Sequence, residues 1–141
     1  MRSVTRTAYL VVAVLLVAGL VTQVFLAGLG VFKGPASFAT HRDFGYTLEL
    51  LPFILFVLAL VGRMGRRAVA LPAAIFGLFI LQSVFVVLRS DAPEIAALHP
   101  VNGFLITLLA IVLARDAWLG RRASGEVVAA PESPARDTSA T

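Results

Sequence analysis

Cysteine is absent from the 141 residues, which excludes disulfides, iron–sulfur clusters and thiolate metal sites. Charge is scarce too: only 14% of residues are Asp, Glu, Lys or Arg, where a water-soluble domain carries about a quarter. With so few polar side chains there is no Gly-rich phosphate loop, no H-E-x-x-H pair and no credible Ser/His/Asp set. Histidine occurs twice, at His41 and His99. Two imidazoles alone are too few for a structural zinc site.

What the chain has instead is apolar length. Hydrophobic residues make up 59% of it and the mean hydropathy is +0.91, so an integral membrane protein is the first class to test. Ala8 to Phe32 carries no charge and, at about 1.5 Å per helical residue, exceeds the roughly 30 Å hydrocarbon core. A cleavable signal peptide with Arg2 and Arg6 as its basic start is the competing reading. The run is too long for that, and no clear small-x-small cleavage site follows it.

Three more runs follow: Phe44 to Gly62, interrupted by Glu49 and Pro52; Ala68 to Leu88; and Val101 to Ala114. The last lengthens if its helix starts at Asp91, an N-cap with Glu94 three residues on, and Pro100 then kinks it near His99. The predicted fold is an all-α four-helix membrane bundle over residues 1–122, with helices at about 8–32, 42–62, 68–89 and 92–118. The small, polar stretch 123–141 is predicted to be a disordered cytoplasmic tail.

The formal net charge of +4 does not point to nucleic acid, because the basic residues flank the apolar runs. Arg2, Arg6, Arg63, Arg66, Arg67, Arg115, Arg121 and Arg122 fall on one side, and only Lys33, Arg42 and Arg89 on the other. By the positive-inside rule both termini are cytoplasmic, in a bacterial cytoplasmic membrane, with the lipid bilayer as the constant partner. Tyr9 and Trp118 then read as interfacial aromatics.

The two outer loops repeat each other. "PASFATHRDFG" and "PEIAALHPVNG" share P-x5-H-x3-G, pairing Pro35 with Pro93, His41 with His99 and Gly45 with Gly103, each 58 positions apart. Gln23 and Gln82, in the preceding helices, are 59 apart. The chain therefore reads as two copies of a two-helix unit in the same orientation. Both histidines then lie at one depth, near the outer face.

Taken singly, each histidine is an interfacial polar residue anchoring its helix. As a pair on helices 2 and 4, which can face each other across a bundle, they suit the two axial positions of a haem iron. Gly45 and Gly103, one turn deeper, allow either a flat ligand or another helix to approach. Glu49 continues the His41 face and is either a relay or ligand-binding carboxylate or a helix-to-helix hydrogen bonder. Gln23 and Gln82 are read as interhelical hydrogen-bond glue or as support behind a ligating histidine. Arg42, with Lys33 and Arg89, stands at the rim, where solvated charge or a contact to haem propionates are the alternatives.

Histidines opening helices 2 and 4, the His41-Arg42 pair, and glutamines in helices 1 and 3 together resemble one four-helix half of the haem A synthase family, over roughly residues 10 to 118. The chain also resembles a small uncharacterised family of actinobacterial four-helix membrane proteins. The first resemblance implies a haem held by His41 and His99. It does not extend to hydroxylation, because the glutamate of the family's E-x-x-H-R motif is Phe38 here and the paired loop cysteines are missing. The expected function is one b-type haem between two histidines, for electron transfer or haem handling without catalysis, with a redox or membrane-complex partner. The alternatives are a haem-free accessory subunit or a small transporter component.

Overall fold

A computed structural model describes residues 2–129 of the chain, with side-chain surroundings over 4–122. The helices are α1 (Arg2–Lys33), α2 (Phe38–Leu48), α3 (Leu50–Val61), α4 (Arg66–Val87), α5 (Pro93–Ala96) and α6 (Leu98–Ala129). A single 3-10 turn, Pro35–Ser37, joins α1 to α2. Four stretches are long and apolar enough to cross a membrane: Val4–Lys33, Pro35–Val61, Arg66–Val87 and Pro93–Arg122. Each of the second and fourth is two helices broken at one residue.

Glycine and proline set most of these boundaries. Gly34, at φ 106°, takes the left-handed backbone that stops α1. Pro52 has no N–H to offer the carbonyl four residues back, and the α2/α3 break falls at Glu49 within that turn. Pro100 lies in the first turn of α6, where its missing N–H costs nothing. The break in the last span is therefore at Ala97, ahead of His99, rather than at the proline.

Other expectations shift in detail. The α5 N-cap is Ala92, with no side-chain cap, and Asp91 sits in the preceding turn, because Pro93 at the first helical position already sets the start. α1 begins at Arg2 rather than Ala8, and α2 at Phe38 rather than 42, so His41 stands inside the first turn. α6 runs to Ala129, so residues 123–129, assigned by composition to the tail, are helical; 130–141 lie outside the described residues.

The helices close a four-sided ring: α1 packs on α2 and α3, α3 on α4, α4 on α6, and α6 back on α1. The spans containing α2 and α6 are thus diagonal partners. Leu16, Leu55, Ile75, Ile106 and Leu113 are fully buried at the centre, with Ala13, Ala59 and Ala110 completely covered between them. Small residues there let backbones approach where lipid offers no hydrophobic drive. Large apolar side chains face outward along every span, among them Val24, Phe32, Val87 and Phe104, the surface a bilayer covers.

The core lies toward one end. Residues 21–33 of α1 and 38–47 of α2 hold none of its buried hydrophobic side chains. That end carries the histidines.

Tyr9 is only 4% exposed, which replaces its reading as an interfacial aromatic. Pro72, inside α4, cannot donate to the carbonyl of Ala68. The Tyr9 hydroxyl donates to that oxygen at 2.9 Å instead, re-satisfying a group freed by proline. Tyr9→Phe should therefore lower unfolding stability in detergent by about 1–2 kcal/mol, the cost of an orphaned buried acceptor. An unchanged denaturation midpoint would count against the assignment.

Between α3 and α4, Arg63 adopts φ 48°. Met64 N–H donates to the carbonyl of Ala59 and Arg63 N–H to that of Leu60, at 2.9 and 3.0 Å, a Schellman cap with arginine where glycine is usual. Relieving a left-handed non-glycine is worth about 1 kcal/mol, so Arg63→Gly should raise the thermal midpoint by a few degrees.

Candidate functional site

α1 and α2 interlock through alternating small and large residues. A β-carbon on Gly19 would strike the Leu48 side chain, one on Gly45 would lie 2.6 Å from Gln23 Nε2, and one on Gly30 would lie 2.6 Å from the Phe38 ring. Each glycine is a hole filled by a side chain from the facing helix. That register brings His41 level with Gln23, and His41 Nδ1 lies 3.1 Å from the Gln23 carbonyl oxygen.

α4 and α6 make the corresponding contact. His99 Nδ1 lies 3.3 Å from the Gln82 carbonyl oxygen, and a β-carbon on Gly103 would lie 3.3 Å from Gln82 Nε2. The glycines therefore serve helix approach, one of their two expected uses, by admitting the glutamine side chains. In both pairs the histidine bonds to the backbone of the glutamine rather than to its amide.

The tautomer follows. A carbonyl oxygen only accepts, so Nδ1 of each ring is the donor, and in a neutral imidazole the lone pair is then on Nε2. Neither Nε2 is engaged by another described residue. The rings meet across the diagonal with centroids 6.3 Å apart and planes at 63°. Two imidazoles on opposite sides of one metal, at metal–nitrogen distances of about 2 Å, have ring centres roughly 6 Å apart.

The donor set limits which metal fits. Among the described residues no group of three His, Cys, Asp or Glu side chains gathers to hold an ion. Two imidazole nitrogens as the whole donor set suit a metal whose remaining ligands come from a macrocycle. A backbone carbonyl holding the far ring nitrogen is the usual support behind a ligating histidine.

Asn102 completes the second half and was not among the expected site residues. It is buried, and its Nδ2 donates to the Leu78 carbonyl at 2.9 Å and to Gln82 Oε1 at 2.6 Å. Gln82 Nε2 in turn donates to the His99 carbonyl at 2.9 Å. Asparagine three residues after His99 shares its helix face, which is a legible signal. Comparison of the loops hid it, because the matching position in the first is Phe44. With no amide there, Gln23 Oε1 is buried without a hydrogen-bond partner.

The remaining expected residues stand apart. Arg42 is exposed and its Nε pairs with Asp43 Oδ1 at 2.8 Å, a surface contact worth little. Arg89, in the turn after α4, donates to the Val86 carbonyl. Glu49, at the α2/α3 break, is half-buried, and its carboxylate makes no hydrogen bond or ion pair with a described residue. The helix-to-helix hydrogen bond that was one of its two expected uses is not formed with a described residue. Phe38 places an aromatic ring edge-on to His41 at 6.3 Å.

These features define a multi-pass helical membrane protein with a histidine pair at one end of a four-helix bundle. Residues 23–88 match a family of unknown function, DUF6220. The matched segment contains Gln23, His41, Glu49 and Gln82, and stops before His99 and Asn102. No curated protein and no solved structure matches the chain.

Asn102→Leu removes two hydrogen bonds and leaves Gln82 Oε1 as bare as Gln23 Oε1. It should destabilise the protein in detergent by about 1–2 kcal/mol, and equilibrium unfolding beside the parent chain measures this.

Proposed function

We propose that this protein holds one b-type haem between His41 and His99 and serves electron transfer or haem handling in a bacterial cytoplasmic membrane. The observation that carries the reading is the close pair of imidazoles, ring centres 6.3 Å apart, each with Nδ1 on a main-chain carbonyl and so with its lone pair on Nε2. In this reading His41 and His99 would hold the haem iron, the Gln23 and Gln82 carbonyls would orient them, and Gln82 and Asn102 would brace the second. A haem held by two histidines would supply one-electron chemistry there. Hydroxylation is not proposed, since Phe38 supplies an apolar ring where the haem A synthase motif has a carboxylate.

The finer architecture belongs to the same proposal. Two copies of one helix-pair unit run in parallel, with both termini cytoplasmic and the histidines near the outer face. The matched Gln–His contacts support the repeat, and the arginine distribution supports the orientation. The resemblance to one half of a haem A synthase supports the ligand.

A haem-free accessory subunit is the second reading. In its favour, each histidine already has a structural partner in a backbone carbonyl. Protein purified with haem supplied during expression should show a Soret band and one haem per chain. His41→Ala and His99→Ala should each abolish low-spin haem while leaving helical circular dichroism intact. Absence of a Soret band in the parent protein would establish the second reading instead, and full haem content in the double variant would overturn the assignment of His41 and His99 as the ligands.

A further inference from the structure

The opposite end of the bundle holds an open cavity of about 440 Å³, within the range of small-molecule sites. Its floor is apolar, with Leu71 and Leu113 beside the Tyr9–Ala68 hydrogen bond. Its lining takes one arginine from each of three helices: Arg6 of α1, Arg67 of α4 and Arg121 of α6. Among the described residues the only acid in the lining is Asp116, which pairs with Arg67 at 2.6 Å. Among the described lining residues, three guanidinium groups and one carboxylate thus stand above an apolar floor.

A second feature has the same sign. α4 begins at this cavity, and its N-cap, Gly65, offers no side chain to the first-turn amides. The positive end of the helix dipole adds to the arginines. An apolar floor beneath a basic rim, at the end of a membrane-length bundle, matches a molecule with an anionic head and a hydrocarbon tail.

We propose that this cavity binds a phosphate-bearing head group, with Arg6 and Arg121 as its principal ligands and Leu71 and Leu113 beneath the start of an acyl chain. Arg67 is held by Asp116 and shapes the wall. The site is separate from the histidine pair and does not depend on haem. The same chemistry can come from an anionic lipid or from a soluble phosphate compound, and the experiment distinguishes them.

The test is native mass spectrometry of the full chain from micelles containing phosphatidylglycerol or phosphatidylcholine. Phosphatidylglycerol should bind preferentially. Arg121→Gln, at an exposed rim position, should weaken it roughly fivefold, and Arg6→Gln/Arg121→Gln roughly thirtyfold. Arg63→Gln/Arg66→Gln changes the charge of the same end outside the cavity and should leave binding within twofold. Inorganic phosphate that displaces the lipid at millimolar concentration supports the site with a soluble ligand, and failure to displace supports the lipid. Equal binding of both lipids, or an equal loss in the control pair, overturns the proposal.

Discussion

Inside an apolar medium every backbone polar group has to find its partner within the protein, and this bundle is organised around that constraint. Proline tests it most sharply. Pro72 sits in the interior of α4, where a missing N–H would strand a carbonyl, and Tyr9 reaches from α1 to supply the donor. Pro52 is accommodated by a break in its span, and Pro100 by a place in the first turn of α6. A ring N–H inside an apolar medium has the same need, and both histidines turn Nδ1 to a main-chain carbonyl. That bond settles the imidazole tautomer and the orientation of the ring together.

The two halves of the histidine site are counterparts without being copies. In the second, Gln82 is saturated: Asn102 donates to its oxygen and its nitrogen donates to the His99 carbonyl. In the first, Phe44 replaces the asparagine and Gln23 Oε1 has no donor. Glu49 breaks the likeness again, since Thr107, 58 positions on, bonds to the Gly103 carbonyl of its own helix. The second histidine is consequently braced by a closed polar network, and the first by its bond to the Gln23 carbonyl and by helix packing.

The bundle's ends differ in the polar chemistry they gather. One has two imidazoles in a loosely packed region with few buried apolar side chains. The other has an arginine-rimmed cavity above the dense core, with Trp118 beneath the Arg122 guanidinium at 4.9 Å. Cation–π contact of this kind suits a residue half in and half out of an apolar layer.

Helix count, approximate span limits and the likeness between two histidine-bearing loops were legible in the sequence, because apolar run length and residue spacing are one-dimensional. The pairing of His41 and His99 as facing residues was legible for the same reason: equal spacing implies equal depth. Residue spacing contains no information about rotation around a helix axis or about which helices sit diagonally. Only the tertiary structure could turn Gly45 and Gly103 toward glutamines, bury Tyr9 against a proline-freed carbonyl, leave Glu49 without a partner among the described residues and bring Asn102 to Gln82. Those outcomes depend on contacts between helices, where a rotation of one residue's worth, about 100°, exchanges the buried face for the exposed one.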